Sequence, residues 1–303
     1  IQARQEIVRD LLNDRIFLEE CKEMLRKVYD LERLSARIAF GSANARDLKS
    51  LQASLEVIPT LRNQLLETTS PRLNQLGEKL DVCNDIYRLI DQAIVDDPPV
   101  SVKEGGLIKE GYDEELDRLK GIQQKGKKWI AQLEQQEREI TGIKSLKVGY
   151  NRVFGYYIEV TKSNLRYLPE GRYIRKQTLA NSERFITSEL KKQEQLILHA
   201  EEQSIEREYQ LFAELRTRIA KEVSRLQRLA EKIAKLDVLH AFATVADQYH
   251  YVQPIVHQGE ELVIQEGRHP VVEAVMDEGA FVANDVQLNA ENRQILLVTG
   301  PNM

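Results

Sequence analysis

The chain has 303 residues, 42% of them hydrophobic and 30% charged, with 15 Gly, 8 Pro and a formal net charge of −5. That length accommodates about two domains with sizeable cores, and the composition suits a soluble, helix-rich protein. No apolar run is long enough to span a bilayer and no signal-peptide pattern opens the chain, so a cytoplasmic protein is expected. Cys21 and Cys83 are too few and too far apart for a disulfide framework or a zinc site, and both read as buried free thiols among apolar helical positions. The five His lack ligand spacing, so no metal site is expected. Ile1 enters a helical pattern without a start methionine and Met303 follows one strand into what reads as a new domain, so a fragment of a longer protein is expected.

Residues 1 to 95 read as several helices. Val8, Leu11 and Leu12 begin an apolar stripe; Asp14 reads as an N-cap, followed at helical spacing by Ile16, Phe17, Cys21, Met24, Leu25 and Val28. A shorter helix through Leu31, Leu34 and Ile38 closes at Gly41. Asn44 and Asp47 have the spacing of an acidic capping pair, and Leu48, Leu51, Leu55 and Ile58 follow until Pro59, where the pattern is expected to break. Pro71 starts a further helix through Leu73 and Leu76 towards Ile90.

Asp96-Asp97-Pro98-Pro99 and Gly105-Gly106 bracket a loop with a short strand or extended segment expected at Val100 to Val102. Asp113 then caps a long helix through Leu116, Leu119, Ile122, Trp129, Ile130, Leu133 and Ile140, weakened at Gly121 and Gly126 by about 1 kcal/mol each. That helix leads into a stretch of different texture, Leu146 to Thr187. Here Val148, Tyr150, Val153, Tyr156, Tyr157, Ile158, Val160 and Thr161 are β-branched or aromatic and are punctuated by Gly149, Gly155, Pro169 and Gly171, the pattern of short strands and turns.

Charge marks the same boundary. Lys144 to Gln193 holds eleven Lys or Arg against four Glu, a net +7, and the remainder of the chain is −12. Such an island has two readings: a surface that neutralises phosphates, with Tyr, Thr, Asn and Gln placing the backbone, or a solvated charged face.

Between Gly171 and Pro254 there is no Gly or Pro, and Leu190, Ile197, Leu211, Leu215, Ile219, Val223, Leu226, Ile233, Leu236 and Ala243 keep one face. A continuous helix there would be on the order of 85 Å long and needs an antiparallel partner, for which Asp113 to Ile140 is the candidate. In the last segment Leu262 to Ile264, Phe281 to Ala283 and Ile295 to Val298 read as strands. The last runs into Thr299-Gly300-Pro301-Asn302-Met303, a strand-to-glycine turn of the kind that opens a phosphate loop, without the Lys and Ser/Thr that complete one.

Six blocks in order resemble the MutS family of DNA mismatch-repair proteins: DLERLSARIAFGSANARDL (30–48), LKVGYNRVFGYYIEV (146–160), YIRKQTLANSERFIT (173–187), EGRHPVVE (266–273), FVAND (281–285) and LLVTGPNM (296–303). The resemblance implies a mainly α fold: a multi-helix lever or core domain at 1–143 and 194–250, a long antiparallel helical arm carrying an inserted β-containing clamp at 144–193, and the first strands of an α/β ABC-type ATPase domain at 251–303. It also implies that the clamp grips duplex DNA by its backbone, through Tyr173, Arg175, Lys176, Gln177, Thr178, Asn181 and Arg184. Ala180 departs from the pattern, standing where some relatives carry a basic residue, which would remove one contact. Arg184 has a second reading as the partner of Glu183 or Glu189.

By the same resemblance Phe281 and Val282 flank an adenine ring, and Gly300, Pro301 and Asn302 open the Walker A loop. Phe281 has a second reading as an ordinary strand residue. No catalytic residue, metal site or cofactor is expected in the chain as given. The full-length parent is expected to be a homodimeric DNA-dependent ATPase using ATP, ADP and Mg²⁺, with a MutL-type repair partner, associated with the bacterial nucleoid and not with a membrane. An alternative is a long-helix scaffold of an ABC-type ATPase whose β tip binds a protein partner.

Overall fold

The computed structural model describes residues 1–151, 153, 155–276 and 281–300. They form two units, Ile7–His250 and Ile1–Glu6 with Tyr251–Met303. The chain opens with α1 (Gln2–Asn13), α2 (Arg15–Leu25), α3 (Leu31–Ala39), α4 (Ala45–Glu67), α5 (Pro71–Glu78) and α6 (Asn84–Ala93). Side chains set where these helices start. Asp14 accepts from the N–H of Phe17, Asp30 from that of Arg33 and Ser70 from that of Leu73, while Asn44 and Asp47 form a reciprocal capping box. Each cap satisfies an amide that the helix itself leaves unpaired.

Three local expectations change here. Pro59 does not end α4, which runs through it to Glu67. Pro59 faces solvent, and the buried stripe resumes beyond it at Leu61 and Leu65, both 0% exposed. Burying those two leucines gains about 1.5–3 kcal/mol each and outweighs the roughly 3 kcal/mol cost of the proline. The segment at Val100 to Val102 is not a strand: a 3-10 turn, Val102–Glu104, follows exposed Val100, and the bridge joins the two buried isoleucines Ile94 and Ile108 instead. Cys83 lies at the head of α6 with φ +48 rather than inside a helix; it and Cys21 are free and buried, and burial pushes both thiols up to about 12.

The arm is an antiparallel pair, α7 (Glu114–Thr141), capped by Asp113, and α8 (Ser188–Ala220). Its register is pinned by Arg207 on Asp113 at 2.6 Å and by the Gln123 amide on the carbonyl of Ala200 at 3.1 Å. Gly126 does more than weaken α7. A Cβ there would stand 2.3 Å from Cγ1 of Ile197, so the glycine permits the close approach of the two helices.

The single helix expected beyond the module is two, α8 and α9 (Val223–Gln248), interrupted at Lys221 and Glu222. No Gly or Pro marks the break because packing makes it: α9 turns its buried face to α2 and α3, whereas α8 pairs with α7. Arg225 holds the start of α9 through Asp81 at 2.8 Å, Asp85 at 2.7 Å and Glu222 at 3.2 Å. At 33 residues α8 alone is about 50 Å long.

Between α7 and α8 the chain forms β1 (Lys147–Asn151), β2 (Gly155–Thr161), β3 (Ile174–Thr178) and β4 (Ser182–Ile186), one antiparallel sheet in the order β1-β2-β4-β3. The larger unit thus has two apolar cores. One joins α1–α6 to α9, the start of α7 and the far part of α8; the other joins Ile130, Leu133, Leu190 and Ile197 of the arm to Ile158, Val160, Phe185 and Ile186 of the sheet.

In the smaller unit β5 (Leu262–Gly267) pairs antiparallel with β6 (Asn284–Leu288), and α10 (Pro270–Val275) is capped by His269. Phe281 to Ala283 precede β6 and are not strand, and Ile295 to Val298 form no ladder among the described residues. Alternating burial and a paired neighbour are what hold a short apolar run as a strand, and Ile295, Leu297 and Val298 are each more than 80% exposed. Among the described residues no helix is long and apolar enough to cross a membrane.

Candidate nucleic-acid interface

Strand alternation gives the four-stranded sheet two unlike faces. Ile158, Val160 and Phe185 point into the core it shares with the arm. Carboxylates from the arm hold its backbone and rim as well. Glu134 accepts from the N–H of Val148 at 2.8 Å and Glu194 from that of Tyr156 at 2.8 Å. Fully buried Glu137 accepts from the Arg172 guanidinium and the Tyr173 hydroxyl. Gly155, at φ +73, is required for one of these contacts, since a Cβ would fall 1.5 Å from Oε1 of Glu194.

The opposite face is polar. Register places Lys147 opposite Glu159, Glu159 opposite Arg184 and Arg184 opposite Gln177 across all four strands. Arg184 donates from Nε to Glu159 at 2.9 Å and from Nη1 to Gln177 Oε1 at 3.1 Å, and its guanidinium lies 4.1 Å over the Tyr157 ring. β3 is one of the two edge strands, and its ladder shifts between Arg175, opposite Phe185, and Gln177, opposite Arg184, so that Lys176 is the extra residue of a bulge. A bulge on an edge bends the strand and re-aims a side chain.

Three loops meet at one end of the sheet. The Lys162 N–H donates to the Asn181 carbonyl at 3.0 Å, and the Asn164 amide donates to Ser145 Oγ at 3.0 Å and to Thr161 Oγ1 at 3.1 Å. Lys144, Lys147, Lys162, Lys191 and Lys192 are exposed and make no ion pair among the described residues.

Residues 111–203 match MutS family domain IV. Over its whole length the chain is 55% identical to the DNA mismatch repair protein MutS of Brevibacillus brevis, 54% to that of a Geobacillus species and 51% to that of Listeria monocytogenes. The chain belongs to the MutS family. It spans about a third of the length of these MutS relatives, 35% of each. The range matching MutS domain IV is wider than the basic segment: it takes in all of α7, the sheet and half of α8, the parts that share the second core.

Against the positions implied by the MutS resemblance, the structure separates three groups. Arg175, Lys176, Thr178 and Asn181 are exposed along β3 and its following turn, with Arg175 on Glu183 at 3.0 Å. Gln177 and Arg184 are half-buried together on the polar face. Tyr173 is set apart: it packs edge-on to Phe185, 6.1 Å between centroids, and burial together with the Glu137 hydrogen bond raises its phenol above the ordinary tyrosine range. The carboxylate partner of Arg184 is Glu159 and neither Glu183, which holds Arg175, nor Glu189, which holds Arg172 at 3.4 Å. Lys162 was not singled out in the sequence; only its membership of the basic island marked it, and the hydrogen bond to Asn181 brings it beside the turn.

Of the nucleotide positions, Phe281 is half-buried and Val282 is 77% exposed ahead of β6. Gly300 is exposed, with nothing within 4 Å of where a Cβ would stand. Pro301 and Asn302 lie outside the described residues.

Proposed function

We propose that this chain supplies the lever and the DNA clamp of a MutS-type mismatch-binding ATPase, and that its own work is to hold duplex DNA by the backbone without reading sequence. Residues 1–143 and 194–250 act as the lever, 144–193 as the clamp, and 251–303 as the start of the ATPase domain. The observation that carries this reading is the +7 segment folded as a separate small sheet on paired helices, with a bulged edge strand that presents Arg175, Lys176 and Thr178 beside Asn181 and Lys162. Cations on flexible stems with hydroxyl and amide groups between them suit phosphate oxygens, which carry charge but no sequence information. Gln177 and Arg184 form a second row behind that edge, and Tyr173 holds the β3 edge to the arm.

In the whole protein, the chemistry proposed is ATP hydrolysis with Mg²⁺ in a homodimer that works in the bacterial cytoplasm at the nucleoid with a MutL-type partner. Phe281 and Val282 suit an apolar contact to a ring, and Gly300 leaves backbone open to a phosphate. These residues bring no charge to neutralise phosphates, so no hydrolytic step is assigned to them.

Binding of the chain to a matched and a G·T duplex across a salt series tests the reading. Affinity is expected to be equal for both and to fall with salt by a logarithmic slope of roughly 0.9 per neutralised phosphate. Replacing Arg175 and Lys176 by Gln should flatten that slope by about 2. Unchanged affinity in that variant, or a tip that binds an acidic protein and ignores duplex DNA, would overturn it.

A further inference from the structure

Arg184 is the best-tied cation of the polar face, and the charged group that ties it is a carboxylate. Glu159 Oε2 sits 2.9 Å from Nε, Gln177 Oε1 3.1 Å from Nη1, and the Tyr157 ring covers the guanidinium plane at 4.1 Å. Glu159 meets Nε from β2 and Gln177 meets Nη1 from β3, on opposite sides of the guanidinium, so the carboxylate is the charged group that an incoming anion has to displace. Only 19% of the Arg184 side chain is exposed, against 62% for Arg175 on the strand edge. Glu159 itself is 35% exposed, so the pair lies at the surface, where an approaching polyanion reaches it.

We propose that Glu159 is a built-in phosphate substitute: it occupies the Arg184 guanidinium when no nucleic acid is present and thereby lowers the duplex affinity of the sheet. This rests on the reading of the sheet as a backbone clamp. A phosphate binds Arg184 only by displacing the carboxylate, so part of the charge of the basic segment is withheld from DNA. Contact made by the exposed edge residues comes first, and engagement of Arg184 follows only where the backbone lies close enough to compete. A clamp of this kind holds loosely until DNA is fully seated, which suits a sequence-independent grip.

The test is duplex binding by Glu159→Gln across a salt series, beside two comparisons. Glu170→Gln removes an exposed carboxylate of the same segment that is in no ion pair among the described residues, and so reports the general effect of one charge. Arg184→Gln, alone and combined with Glu159→Gln, reports whether any gain runs through the arginine. Glu159→Gln is expected to bind roughly tenfold more tightly at low salt, beyond the gain of Glu170→Gln, with a salt slope steeper by about 0.9. Arg184→Gln alone should weaken binding, since it removes a cation that engages the seated backbone and leaves Glu159 unneutralised, and adding Glu159→Gln to it should give no gain beyond that of Glu170→Gln. Equal gains in Glu159→Gln and Glu170→Gln, or a loss in Glu159→Gln, would overturn the inference while leaving the clamp reading in place. Binding by Glu159→Gln where the unaltered chain binds nothing would support it, and binding by neither would sink both. Should Glu159→Gln lose its sheet by circular dichroism, Gln177→Glu gives the converse measurement. By adding a second carboxylate beside Arg184 it should weaken binding more than Ala180→Glu does at a neighbouring exposed position, and an equal loss would overturn the proposal.

Discussion

The helical body and the sheet module are held together by different physics. In the body Leu34, Leu48, Leu51, Leu61, Leu65, Ile86 and Ile90 are all 0% exposed, and their stripes close one continuous apolar core that admits a few buried polar groups such as Ser35, Gln52, Ser54 and His240. The module has few buried apolar side chains of its own. Glu134, Glu137 and Glu194 from the arm reach across to its amides, a guanidinium and a phenol. Non-directional burial tolerates proline within a helix, as at Pro59, whereas a small sheet without a deep core gains its position from directional bonds. A region that must present basic side chains outward on a short sheet has little apolar surface left to bury.

The comparison is sharpest in cavity variants. Leu55→Ala in the body and Ile158→Ala in the sheet should each cost about 2–5 kcal/mol, since both side chains are at most 1% exposed. Leu55→Ala should shift the main cooperative melt. Ile158→Ala should strip hydrogen-exchange protection from β1–β4 while α2, α3 and α4 keep theirs. Loss of protection throughout the chain in Ile158→Ala would mean that the two cores unfold as one.

Glu137→Gln is the next largest, about 1–3 kcal/mol and confined to the module, because Arg172 and Tyr173 lose a charged acceptor. It also has a spectroscopic sign. Tyr173 is an acid whose folded value is raised, so its contribution is present at neutral pH and is lost as pH rises past the ordinary tyrosine range of about 10. In Glu137→Gln the phenol should titrate lower, and an unmoved titration would remove Glu137 from that role.

Pro59→Ala should stabilise the body by about 1 kcal/mol, the recovered helical bond outweighing the freer unfolded chain, and should leave the module's exchange unchanged. A lower melting temperature would show that α4 depends on the proline. The smallest effect is at acid pH. Hydrogen bonds from Arg225 hold Asp81 down to about 2 from 3.8, so its contribution is present above 3.8 and fades as pH falls towards 2. Asp81 is partly exposed and screened, so the change should be a modest loss in melting temperature over that window that Asp81→Asn lacks.

Much of this was legible in the residues alone. The caps at Asp14, Asn44 and Asp113, the stripes of α2 to α5, the switch from helical to strand texture near residue 146 and its return near 187 are local signals, set by side chains within a few positions of one another. The charge of the basic segment is additive and needs no fold to be counted. Tertiary structure decided the rest, because it depended on contacts between residues far apart in sequence. Pro59 stays helical because Leu61 and Leu65 have a core to enter, and α8 parts from α9 because α9 packs on α2 and α3, its start held by Arg225 on Asp81 and Asp85, 144 and 140 positions away. In the candidate interface, sequence supplied the residue types, and pairing decided their state: Tyr173 turned inward to Glu137, Lys176 raised on a bulge, Lys162 drawn beside Asn181, and Arg184 held by Glu159 across two strands. A charge count treats every arginine alike, but an arginine's availability is set by which carboxylate the fold places beside it.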